Sequence, residues 1–223
     1  MKISGSGRLS AGKINDYLRV SGSARIDGDF ECNGFRSAGS LRAAGNLTVH
    51  GDVRNSGSFR LDGSLYGDGN ARSSGSTAIG GEIRIRGNLV SSGSIRVGNK
   101  IEALAGIRTA GSASIRGDIF SQNRIEIAGS LITDGSIKGQ DVLIGTHLSQ
   151  TRRTIKNRFT VAGSIFAENK VDITATYVEG DVRGRDVRIG RGTEILGILY
   201  YIDKLERHGH SKLNNEPIQI EVK

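Results

Sequence analysis

Gly39-Ser-Leu-Arg-Ala-Ala, Gly45-Asn-Leu-Thr-Val-His and Gly51-Asp-Val-Arg-Asn-Ser form one unit of three hexads, after which Gly57 opens the next unit. The apolar residues sit two and often four places after each glycine, an alternation that predicts a short strand with one buried face. Glycine suits the corner because it accepts positive φ, and the Ser, Asn or Asp beside it suits a turn. The unit recurs at a fixed period. Ala38-Gly39-Ser40, Ser56-Gly57-Ser58, Ser74-Gly75-Ser76, Ser92-Gly93-Ser94, Ala110-Gly111-Ser112 and Ala128-Gly129-Ser130 stand 18 residues apart. Such a period is the signature of a repeat array.

Stacking the units gives three columns. One reads Leu41, Phe59, Thr77, Ile95, Ala113, Leu131; the next reads Leu47, Leu65, Ile83, Ile101, Ile119, Ile137; the third reads Val53, Ala71, Leu89, Ile107, Ile125, Leu143. Thr77 alone is polar. Parallel strands of successive coils produce such columns when like residues stack about 4.8 Å apart. The expected fold is all-β, a single-stranded parallel β-helix, or three-sided β-solenoid, with about 18 residues per coil. Two inward positions per strand and the general bias of parallel crossovers favour a right-handed coil.

The period loosens toward both ends. Gly22-Ser23 precedes Gly39-Ser40 by 17 residues, and the next Gly-Ser pair after Gly129 is Gly163-Ser164. The latter gap reads either as two coils or as fewer coils plus a loop. The segment 147–158 (HLSQTRRTIKNR) has no hexad pattern and carries Arg152, Arg153, Lys156 and Arg158. The organisation expected is a Gly/Ser-rich, repeat-like lead-in over 1–17, a solenoid over 18–203 of roughly ten coils, and a tail over 204–223. The alternation of Pro217-Ile-Gln-Ile-Glu-Val222 makes that tail a candidate capping strand.

Composition agrees. There is no Trp, and the one proline, Pro217, lies beyond the repeats, as expected where amides are wanted in a ladder. Cys32 is the one cysteine, so no internal disulfide framework forms. No apolar run is long enough to span a bilayer as a helix, and the expected location is cytoplasmic, with membrane association as an added option.

The excess of 31 Lys and Arg over 23 Asp and Glu is partly ordered. Arg25, Arg42, Arg60 and Arg96 share one outward slot, and Arg54, Arg72 and Arg108 share another. These ladders are candidates for contact with anionic partners, together with the basic segment from Arg152 to Arg158. They also fit the plainer role of soluble outward residues whose stems cover the sheet. Aromatics such as Tyr66 and Phe120 are too scattered for base stacking, which argues against nucleic acid.

No enzyme signature stands out. A catalytic zinc needs three converging ligands, whereas His50 and His147 are far apart and His208 and His210 lie past the repeats. The pairs Asp27/Asp29, Asp62/Asp68 and Asp181/Asp186 border corner glycines, where capping accounts for them. The serines follow the corners, and no Gly-Lys-Ser/Thr phosphate loop occurs. No catalytic residue, metal, cofactor or small-molecule substrate is expected.

The text Ser23-Ala-Arg-Ile-Asp-Gly-Asp-Phe30, Ser112-Ala-Ser-Ile-Arg-Gly-Asp-Ile119 and Val178-Glu-Gly-Asp-Val-Arg-Gly-Arg-Asp-Val-Arg-Ile189 resembles the bactofilins, polymer-forming cytoskeletal proteins. The resemblance covers roughly residues 18–203. It implies a right-handed β-helix that joins end to end into nucleotide-independent filaments, often against a membrane, scaffolding other proteins. The chain departs from the family pattern in its longer repeat core and in having repeat-like text, not an amphipathic anchor, at its start.

Physics favours assembly independently, because the first and last coils of a solenoid expose unpaired ladder groups and an apolar cross-section. Leu18, Val20, Ile26 and Phe30 are the expected contact residues at one end. Ile195, Leu196, Ile198, Leu199, Tyr200 and Ile202, in the most apolar stretch of the chain, are those at the other. The main alternative is a hexapeptide-repeat enzyme, an acyltransferase or zinc-dependent hydratase, in which His50 would serve as base.

Overall fold

A computed structural model of the chain describes residues 1–146 and 159–221. Its regular structure is parallel β throughout, wound as a β-solenoid of about eleven turns. Three faces make each turn. In one turn they are Ser40–Ala43 (face 1), Leu47–Val49 (face 2) and Val53–Asn55 (face 3). Each pairs in parallel with its counterpart one turn on, at Ser58–Leu61, Leu65–Gly67 and Ala71–Ser73. At a strand spacing of about 4.8 Å, eleven turns make a rod about 50 Å long.

The inward columns are those expected from the hexads, and they merge into one continuous core. Leu41, Leu47, Leu61, Ile83, Ile101 and Ile125 are among its fully buried side chains. Each buried aliphatic of this size contributes roughly 1.5–3 kcal/mol. Phe35 and Phe59 fill the widest part, with ring centroids 5.1 Å apart. Thr77 is buried as well, and its hydroxyl is satisfied by Asn55 Nδ2 at 3.1 Å and Ser73 Oγ at 2.8 Å. The exception in the column therefore belongs to a small polar seam inside the corner between faces 3 and 1.

The glycine corners need glycine for a different reason than backbone freedom. Positive φ among the described glycines is confined to Gly12, Gly28, Gly106, Gly145 and Gly192, and none of the six triplet glycines is among them. What excludes a side chain is the coil below. A Cβ on Gly57 would overlap the Gly39 carbonyl oxygen, and one on Gly75 would overlap that of Gly57. Those carbonyls are in use: Gly39 O accepts from Ser58 N at 3.0 Å, and Gly57 O from Ser76 N at 3.0 Å. The triplet repeats because each corner must nest on the last.

Three expectations change. Leu143 is not in the core: Ile125 pairs with Val142, and Leu143 pairs outward with Glu126. A register shift between Gly139 and Asp141 shortens the step to 17 there. A one-residue slip exchanges the two sides of a strand.

Gly163-Ser164 does not continue the Gly129-Ser130 corner. Gly163 N bonds Gly135 O at 3.2 Å, and Leu131 pairs directly with Phe159. One turn separates these strands, and 147–158 enters at the corner between faces 3 and 1, outside the described residues.

Finally, the ladder extends beyond 18–203 at both ends. Lys2 and Ile3 pair with Arg19 and Val20, and 6–20 pairs with 23–37. Lys212–Leu213 pairs with Glu194–Ile195, and Ile218–Gln219 with Tyr200 and Tyr201. The lead-in and the tail are thus coils of the same rod.

Candidate functional site: cation ladders and open coil ends

Face 1 and face 3 meet at the glycine corner, and each carries a column of cations. On face 1, Arg8, Arg25, Arg42 and Arg60 stand on successive turns, followed by Ala78 and Arg96. On face 3, the column runs Lys2, Arg19, Arg36, Arg54 and Arg72, followed by Val90 and Arg108. The structure brings every arginine assigned to the two ladders into register. It adds Arg8 to one, and Lys2, Arg19 and Arg36 to the other. The 17-residue steps near the start hid these four from an 18-residue count, although the Gly22-to-Gly39 step already showed the contraction.

The two ladders differ in their counter-charges. On face 1, Asp27 takes Arg8 and, at 2.8 Å, Arg25, while Asp62 takes Arg60 at 3.2 Å and Arg42 at 3.5 Å. Hydrogen bonds from Arg8 and then Arg25 hold the Asp27 carboxyl below its usual range, and that from Arg60 does the same for Asp62. This ladder is largely neutralised by its own corner. On face 3, Arg54 meets Asp52 at 3.3 Å. Lys2, Arg19, Arg36 and Arg72 have no carboxylate within ion-pair distance among the described residues, and all are exposed. Arg19 instead lies 5.9 Å from the centroid of the Tyr17 ring, which packs where a Cβ on Gly34 would be. Face 3 therefore presents five consecutive cations with one internal counter-ion.

Arg152, Arg153, Lys156 and Arg158 lie outside the described residues. The flanking strands place the entry and exit of their segment at the same glycine corner, several turns from the ladders.

The residues expected at the ends are not the ends. Leu18, Val20, Ile26, Phe30, Ile195 and Leu199 are buried. Leu196, Ile198, Tyr200 and Ile202 are half-buried. One coil covers each set. The outermost coils carry Leu9 and Ile14 at the start and Leu205, Leu213 and Ile218 at the finish, all partly or fully exposed. Strand residues 2–3, 6–10 and 12–14 find ladder partners on one side only, as do 204–207, 212–213 and 218–219.

The remaining polar candidates serve the stack. Asp29 Oδ1 accepts from Asn46 N at 2.7 Å, Asp118 Oδ1 from Ser136 N at 2.8 Å, and Asp181 Oδ1 from Ile198 N at 2.8 Å. These carboxylates cap the coil above, not their own turn. His50 bridges neighbouring coils on the surface, with Nε2 2.6 Å from Glu31 and Nδ1 3.1 Å from Asp68. The Glu31 and then the Asp68 contact raise its pKa above the ordinary histidine value. Burial pushes the Cys32 thiol up to about 11, leaving it un-ionised near neutral pH. No group of three or more metal-ligating side chains occurs among the described residues, and no described helix is long and apolar enough to cross a membrane. No protein-family model, curated protein or solved structure matches the chain.

Proposed function

We propose that this protein is a structural protomer that joins end to end into nucleotide-independent filaments. In this reading the filaments form a cytoplasmic scaffold for other proteins or along a membrane surface, as the resemblance to bactofilins implies. The observation that carries the reading is the pair of one-sided coils. Strands 6–10 and 12–14 at one end, and 212–213 and 218–219 at the other, leave backbone donors and acceptors facing away from the rod. Partly exposed Leu9 and Ile14 lie beneath one such surface, and Leu205 and Leu213 beneath the other. Both ends present the same three-strand cross-section, so a second copy can extend the ladder and bury the apolar interior.

The ordered residues elsewhere support a building role. The corner carboxylates and His50 are engaged in holding coils together, so the reading needs no His50-centred acyl-transfer or hydration chemistry. Negative-stain electron microscopy of the full chain, with no added nucleotide, is expected to show filaments. Deleting residues 203–223 exposes a different cross-section and is expected to shorten or abolish them. Strictly monomeric sedimentation of the full chain at high concentration would sink the proposal.

A further inference from the structure

We infer that face 3 near the start of the rod is a binding strip for a linear phosphate polyanion of the polyphosphate type. Lys2, Arg19, Arg36, Arg54 and Arg72 occupy one outward slot on five successive turns. Four rung steps of about 4.8 Å set them along a line of roughly 19 Å. Guanidinium groups hold phosphate oxygens in forked, charge-assisted hydrogen bonds. The face 1 ladder shows how the same fold neutralises arginines when they serve only the surface: Asp27 and Asp62 each clasp two. Face 3 places the single carboxylate of Asp52 among five cations. Column neighbours such as Gly34 and Asn70 supply no counter-charge.

The strip fits a bare phosphate chain better than a nucleic acid. Single-stranded nucleic acids are held by cations together with a series of aromatic faces for the bases. Here Tyr17 is the one aromatic beside the ladder, and its ring is laid over Gly34 next to Arg19. A chain of phosphates without bases uses every rung and needs no such series.

The test is a binding titration of the full chain with fluorescently end-labelled linear polyphosphate at several salt concentrations. Five phosphate contacts on a single-stranded polyanion give a log–log salt slope of about −3.5, or roughly a hundredfold loss of affinity between 50 and 200 mM salt. The triple change Arg36→Ser, Arg54→Ser, Arg72→Ser is expected to cut the slope to about −1.4. Arg8→Ser, Arg42→Ser, Arg60→Ser removes the same charge from the neutralised ladder and is expected to leave the slope in place. Should the first triple fail to fold by circular dichroism, Arg36→Ser alone is expected to lower the slope by about 0.7. Equal losses from the two triples would reduce the effect to net charge and overturn the inference. So would no binding at low salt, or tighter binding to an oligonucleotide of equal charge or to anionic vesicles. None of these outcomes depends on filament formation.

Discussion

Asn55 offers a sharp test of how the coils are keyed to one another. It is 4% exposed, within an otherwise apolar interior. Its Nδ2 lies 3.1 Å from Thr77 Oγ1, 3.2 Å from Gly57 O, 3.2 Å from Ser76 O and 3.3 Å from Ser73 Oγ, while its Oδ1 accepts from Gly57 N at 3.2 Å. Two protons serve those four acceptors, so the side chain makes about three hydrogen bonds at a time. At about 1 kcal/mol net for each, Asn55→Ala removes about 3 kcal/mol, and the space left adds to the cost. Thr77→Val deletes one acceptor and leaves Ser73 without its 2.8 Å partner, which costs about 1–2 kcal/mol. Because the two residues touch, the double variant is expected to show a coupling of about 1 kcal/mol.

Native-state hydrogen exchange is the right assay, since stability in a stacked array is a local quantity. Amides in Val53–Asn55, Ala71–Ser73 and Ser76–Ile79 are expected to exchange about a hundredfold faster in Asn55→Ala, as 1.4 kcal/mol is a factor of ten. Those in Val182–Ile189, many turns away, are expected to change little. A loss below about 0.5 kcal/mol, the range of an ordinary surface change, would refute the assignment of this seam as a keying element. Strict additivity in the double variant would do the same.

Two further outcomes follow from the stack. Gly75→Ala drives a methyl into the Gly57 carbonyl, a rigid backbone group already bonded to Ser76 N, and is expected to cost about 3 kcal/mol or more; a urea midpoint close to that of the parent would contradict nesting as the reason for glycine. His50 has a folded-state pKa above its unfolded value, so its contribution is fully present below about pH 6.5 and fades as pH rises through the folded pKa; titration of its ring proton by NMR should give a midpoint that falls when Glu31 is changed to Gln, and an unchanged midpoint would remove Glu31 as the cause.

The face 3 strip and the end coils divide between what could be read and what could not. The hexads located Arg54 and Arg72 in one outward slot because strand alternation and the 18-residue period act locally, residue by residue. Lys2, Arg19 and Arg36 belong to the same slot but follow 17-residue steps, and only strand pairing shows them stacked beneath Arg54. Counter-charge could not be read at all, since whether Asp27 or Asp62 clasps an arginine of its own turn or of a neighbouring turn is a matter of three-dimensional proximity. The expected end residues failed for a related reason: Leu18 and Ile195 look terminal when coils are counted by perfect repeats, yet imperfect repeats on either side still form coils and bury them.

By itself, then, the sequence determined the three-sided parallel solenoid, its inward columns and its corner glycines. Each of these follows from a periodic pattern that any stretch of the chain restates. Only the tertiary structure decided why the corners must be glycine, where the register slips at Gly139, which ladder is bare and which coils are outermost. Those depend on what lies one turn above or below, and the contact across turns is a property of the stacked chain, not of its local pattern.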